Sequence, residues 1–439
     1  MTRILRPEQE IGPSPGVWQS LGSILLASWL NILLLFIPVS WALHFAFAGE
    51  KDTVIFVCSF LAIIPLAKLL AFATDELSLR VGKTLAGLLN ATLIISLVKC
   101  ELQIVQSALV GSILSNLLLV LGLCFFAGGI RFQEQGFGQM ASQLDSSLLA
   151  ISVISVLLPA AYHFSVVNAI QNDETSDILN VSHGTSIILL FIYISYLVFK
   201  LFSHASLYTD EGEDKIKSTR YGVKKHQDEP AMEPQNTGMA SSATSTSVAH
   251  RAEDDRDTES GSADPKEEEA KQPQMGVWVT VGLLNVVTVL VAITAECLVD
   301  SIDGMMSNSP FSKEFLEVIL LPILCHISDD VTIVRTSVQD ELNLSIDITV
   351  GSSIQMSLVV IPFTVTLGWI MGKPMTLLFD PYESVAMFLA VITVNYVVQD
   401  GKSNWAEGMI LMCLYVILCV TFWFYPGNNP SGDLFATCV

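Results

Sequence analysis

Between Phe315 and Trp369 the sequence carries ionisable and oxygen-bearing side chains inside apolar runs: His326, Asp329 and Asp330, then Asp347, Ser352, Ser353 and Gln355. Two spans of roughly twenty apolar residues, each able to cross a bilayer core of about 30 Å, meet at a polar joint near Gln339 to Asn343. Ionisable groups at membrane depth are costly and mark a substrate or ion path. Neighbouring residues on a helix point about 100° apart, so Asp329 shares a face with Cys325, and Asp330 one with His326. Asp329 is either an ion ligand or the relic of one. A site of Cys325, His326 and Asp330 would instead suit a softer transition metal, through thiolate and imidazole.

These side chains need a membrane scaffold. Of 439 residues 51% are hydrophobic, gathered in blocks of about 17 to 28 that only a polytopic helical membrane protein requires. About eleven spans are expected: 18–47, 53–73, 84–98, 105–130, 145–164, 184–202, 276–299, 315–338, 344–371, 375–398 and 405–425. The chain then divides into an N-terminal tail (1–17), a leading helix with a first transmembrane repeat (18–202), an acidic linker (203–275), a second repeat (276–425) and a C-terminal tail (426–439). The linker is rich in Glu, Gln, Pro, Ser and Thr and reads as a disordered tether. It carries about a third of the net charge of −21, and that charge implies no nucleic-acid partner. The eight cysteines show neither a disulfide framework nor a zinc spacing, and the first residues do not read as a cleaved signal peptide. No phosphate loop, nucleophile constellation or redox motif suggests an enzyme or a bound cofactor.

Basic residues orient the spans. Arg3, Arg6, Arg80, Lys83, Arg131 and the Lys215–Lys225 cluster all fall on one side, placing the N-terminus and the linker in the cytosol. The halves also repeat. GLLNAT (Gly87–Thr92) precedes ALVGSILSNLLLVLG (Ala108–Gly122), and ILLPIL (Ile319–Leu324) precedes ITVGSSIQMSLVVIP (Ile348–Pro362). Five spans on each side of the linker, after one leading span, put the copies in opposite orientations. The expected fold is therefore an all-α membrane protein of about eleven helices with inverted five-helix repeats and a site near the midplane.

Further runs carry a resemblance. ATDELSLRVGKTLAGLLNAT (Ala73–Thr92), VQSALVGSILSNLLLVLG (Val105–Gly122), LVDSIDG (Leu298–Gly304), VGSSIQ (Val350–Gln355), GWIMGKPMTLLFDP (Gly368–Pro381) and NYVVQDGKSNWAEG (Asn395–Gly408) resemble the vacuolar calcium/proton exchangers of fungi and plants. The resemblance implies calcium moved from the cytosol into the vacuole against protons, across the vacuolar membrane, with calcium, protons and the bilayer as partners.

It also implies a GNxxE-type motif in each repeat, whose glutamates bind calcium, and here both motifs are altered. In the second repeat the motif aligns with Cys325–Asp330, and Asp329 takes the glutamate's place. The ligand set implied is Asp329 with Ser352, Ser353 and Gln355 from the second repeat and Ser112 and Asn116 from the first; His326, Asp330 and Glu296 are secondary. Calcium takes six to eight oxygens at about 2.3–2.6 Å, so backbone carbonyls or water must complete the shell. In the first repeat GLLNAT runs straight into LIISLV, and Leu88 to Gly111 is roughly eight residues shorter than Leu320 to Gly351. No carboxylate stands between Thr84 and Val98. Two alternatives to an impaired antiporter therefore stay open: a non-transporting membrane partner with the same fold, or a mis-spliced gene model. Arg335 and Asp347 are expected to pair with each other or with Asp330; Glu296, Asp300 and Asp303 read as an acidic mouth or a solvated helix end. Asp380, Glu383 and Asp400 read as interfacial charges, and Lys68 as a snorkelling one.

Overall fold

The computed structural model describes residues 29–47, 51–81, 102–166, 174–204, 207, 218–220, 276–306 and 310–427. It is mostly helical. The first hydrophobic block enters through a 3₁₀ stretch, Trp29–Leu35, into α1 (Phe36–Phe47), followed by α2 (Asp52–Val81). Next comes a composite rod, Leu102–Arg131, made of α3 (Leu102–Leu114), a π segment (Ser115–Val120) and α4 (Leu121–Arg131). α5 (Gln139–Val166) and α6 (Glu174–Val198) close the first half. The second half holds α7 (Val277–Met306), a π segment (Phe315–Leu320) leading into α8 (Leu321–Val338), and a second composite rod, Leu342–Ile370. That rod comprises α9 (Leu342–Gln355), a π segment (Met356–Val360) and α10 (Ile361–Ile370); α11 (Pro381–Val397) and α12 (Trp405–Phe424) follow.

Among the described residues seven helices are long and apolar enough to cross a membrane, and Asn31–Phe47 and Pro381–Val397 are shorter apolar ones. α8 is not among them because Asp329, Asp330 and Arg335 lower its hydropathy. The span expected at 84–98 lies outside the described residues. The span expected at 375–398 is a helix only from Pro381; residues 373–380 run without helix and are held by Gln106, whose amide donates to the carbonyls of Thr376 (3.0 Å) and Leu378 (3.2 Å).

Burial separates the rods. The apolar windows of the two composite rods are 83% and 67% buried, against 17–44% in the other five spans, so the two repeats meet at the centre through these rods. Their π segments follow the two Gly-Ser pairs at nearly the same offset, which is the internal symmetry that the repeated sequence implies. A π turn interrupts the regular backbone ladder, and such turns concentrate at functional sites. The outer rods present large apolar side chains such as Phe191, Ile194, Ile410 and Val416 outward, as lipid-facing surfaces require.

Two close approaches depend on glycine. A Cβ at Gly111 would run into the Val318 carbonyl and the Pro322 ring, so α3 crosses the α8 rod at backbone distance. Gly408 and Gly122 likewise let α12 lie against α4, where a Cβ on either would meet backbone atoms of the other rod.

At one end of the bundle a small antiparallel sheet ties loops together in the order β2-β1-β3: β1 (Phe132–Gly136), β2 (Thr219–Arg220) and β3 (Lys402–Ser403). Thr219 and Arg220 belong to the stretch read as a tether, so that stretch is anchored near its start. The polar joint is a tight turn at this same end. Asp340 has φ 73°, the left-handed conformation that a short polar residue tolerates, and Gln135 donates to the Ser337 carbonyl at 2.8 Å. Asp347 does not pair as expected: it bonds Lys200, just beyond the end of α6, at 3.0 Å.

Candidate functional site

The midplane candidates come from three elements. α3 and its π segment supply Ser112 and Asn116, each 8% exposed, and the fully buried Ser115. α8 supplies His326, partly exposed, and Asp330, 8% exposed; the side chain of Asp329 lies outside the described residues. α9 supplies Ser352, Ser353 and Gln355, of which only Ser353 is buried.

Hydroxyl geometry distinguishes the two serines. Ser353 donates to the Thr349 carbonyl at 2.9 Å, and Ser352 donates to the Ile348 carbonyl. Both bonds run back one turn along the same helix, leaving the oxygens able to accept or ligate. The two Gly-Ser pairs are not equivalent. Gly111 is wedged against the α8 rod, whereas a Cβ at Gly351 would meet nothing within 4 Å among the described residues.

Asp330 faces inward toward a polar seam. It lies within electrostatic reach of Cys124 on α4 and Tyr415 on α12. The Tyr415 hydroxyl and Ser115 Oγ lie near one another, both buried, and neither makes a hydrogen bond of standard geometry. Asp330 is therefore a bundle-interior group. Glu296 and Asp300 on α7 are exposed, and Asp300 lies 3.8 Å from His44, in keeping with a solvated mouth. Among the described residues, no three of His, Cys, Asp and Glu come together closely enough to hold a metal ion.

A second constellation lies at the bundle end opposite the sheet, and the interfacial reading of two of its members is corrected here. Asp380 is 6% exposed and Glu383 0%, because the segment 373–380 tucks the start of α11 under α3 and beneath the end of α12. Asp380 caps α11, accepting from the Tyr382 N–H at 2.7 Å and the Glu383 N–H at 3.3 Å, and the Tyr425 hydroxyl donates to both its oxygens at 3.0 Å. Glu314, 1% exposed, accepts from Gln103 at 2.8 Å and from Ser107 at 3.4 Å. Glu317, fully buried, lies 3.7 Å from Lys313. Asp400 stays exposed, as expected of an interfacial charge. Hydropathy alone does not find this cluster. The sequence signal is the pair of acids flanking Pro381 together with Glu314 and Glu317 at the head of an otherwise apolar span.

Comparison with known proteins agrees with this architecture. Residues 51–202 and 279–424 match the family described as sodium/calcium exchanger protein, leaving out the linker between the halves. The chain is 46% identical to a vacuolar calcium ion transporter of Cryptococcus neoformans, over 98% of this chain and 79% of that one. That alignment spans 479 positions, more than this chain has residues, so the relative carries segments that this chain lacks. It is 33% identical to a Ca(2+)/H(+) antiporter of Synechocystis, over 90% of this chain and 97% of the relative. Among solved structures, the Ca2+/H+ antiporter protein YfkE superposes with a TM-score of 0.63 at 25% identity, covering 90% of this chain and 99% of that one. With both of its halves matched and its fold shared, the chain belongs to the sodium/calcium exchanger protein family.

Proposed function

We propose that this protein is a calcium/proton antiporter of the vacuolar membrane, moving calcium from the cytosol into the vacuole in exchange for protons. The observation that carries the reading is 46% identity, over nearly the whole chain, to a vacuolar calcium ion transporter, joined to a core of two repeat rods with π turns at matching places. Asp329 anchors the ion, with Ser352, Ser353 and Gln355 on one side and Ser112 and Asn116 on the other. The carboxylate holds calcium when ionised and gives it up when protonated from the acidic lumen. Basic-residue bias puts the sheet and linker end in the cytosol and the Glu314–Glu383 end in the lumen.

The exchange is weak. Relatives of this type are expected to draw one carboxylate from each repeat, and here Thr84–Val98 holds none. Attraction between unit charges about 4 Å apart is worth about 4 kcal/mol at an effective dielectric near 20. Losing about 3 kcal/mol weakens binding more than a hundredfold. Calcium uptake into vesicles from cells lacking their own exchanger tests the reading. Uptake that needs the pH gradient and is abolished by a protonophore supports it; no gradient-dependent uptake at any calcium concentration favours the non-transporting homologue.

A further inference from the structure

We propose that Glu314 and Glu383 form a proton-binding carboxyl pair at the lumenal end, the station where the returning proton boards the protein. The proposal rests on the antiport reading for its use of the proton, and on geometry for the pair itself.

Glu383 is 0% exposed, and both its carboxyl oxygens lack any hydrogen bond of standard geometry. Its side chain faces Glu314 and Ser107. Every packed element adds its own groups. The π segment before α8 brings Glu317, with Lys313 just ahead of it; the head of α11 brings Asp380; the end of α12 brings Tyr425; α3 brings Gln103 and Ser107. Gly427 closes the top, since a Cβ there would strike the Glu314 carboxyl. The donors are already committed: Gln103 to Glu314, Tyr425 to Asp380, and Lys313 toward Glu317. A wholly buried carboxylate without a donor is prohibitively costly, and two carboxylates side by side cannot both be ionised. The pair therefore shares one proton.

The pair sits at the start of the first repeat's rod, beside Gln103 and Ser107 of α3. One proton arrives from lumenal water, resides on the pair and leaves when the pair ionises; no other bond changes.

The test uses the purified full chain and its isosteric variants E383Q and E314Q, with D400N as the exposed control. Infrared difference spectra between acid and neutral pH should contain the carbonyl stretch of a buried carboxylic acid, lost in E383Q and kept in D400N. In proteoliposomes E383Q should cut gradient-driven calcium uptake at least tenfold while radiocalcium binding at neutral pH changes less than twofold. A band surviving in both E383Q and E314Q overturns the proposal. So does full uptake by E383Q, which would make the pair structural, and so does a tenfold loss of calcium binding, which would make Glu383 a cation ligand. Should the unaltered chain take up no calcium, the antiport reading fails, yet the infrared band still decides whether the pair holds a proton.

Discussion

Asp329 and Asp330 are neighbours in sequence, and only Asp329 stands at the motif's glutamate position. Asp330 turns into the interior, toward Cys124 and Tyr415, where an ion arriving from either face would have to pass between closely packed rods. The transport role proposed for Asp329 rests on the motif alignment, in which it takes the glutamate's place. Asp329→Asn should reduce gradient-driven calcium uptake at least tenfold, and Asp400→Asn should leave it within twofold; equal effects would place the ion site elsewhere. Glu383 is unsuitable as a neutral control because it is wholly buried. Its misreading has a plain physical cause. A charge beside a proline at the start of a hydrophobic span reads as a solvated helix end, and the sequence alone does not reveal that residues from α3 and from beyond α12 cover it. Asp347 was legible as a departure, but its partner Lys200 lies 147 positions away and only the fold brings it near. The pair is partly exposed, so Lys200→Ala should cost no more than about 1 kcal/mol in chemical denaturation.

At the scale of elements, the two composite rods were legible because a Gly-Ser pair followed by a polar residue repeats within apolar sequence. Their π turns were not, since no residue type specifies one. Gly111 has the strictest requirement, with backbone of the α8 rod where its side chain would be. Gly111→Val should therefore destabilise the folded protein by about 1–3 kcal/mol, and Gly184→Ala, at an exposed position of α6, should change it by less than about 1 kcal/mol. Thermal unfolding in detergent compares the two; equal losses would mean that α3 and the α8 rod do not approach as described. The three-stranded sheet escaped the sequence reading because two of its strands are two residues long, too short for any alternation to register. It pins the beginning of the linker beside β1 and β3. Limited proteolysis of sealed vacuoles from the cytosolic side should cut between residues 221 and 274; complete protection would reverse the assigned orientation.

At the scale of the molecule, the protein joins two oppositely oriented halves whose contributions to the ion differ. The second half keeps a carboxylate at the motif position. The first half offers hydroxyls and an amide in α3 and its π turn, and Ser107 on the same helix donates to Glu314 of the carboxyl pair. On the proposed reading calcium depends on one acidic anchor, while a proton has a buried station of its own. The most direct measurement compares this chain with a version carrying about eight restored residues after Thr92, including a Gly-Asn and a Glu, in vesicles without another exchanger. Calcium is titrated at a fixed pH gradient. The chain itself should show protonophore-sensitive uptake that half-saturates at roughly a hundredfold higher calcium than the restored version. Equal half-saturation would contradict the single-anchor account, and gradient-dependent uptake by neither version would contradict antiport altogether.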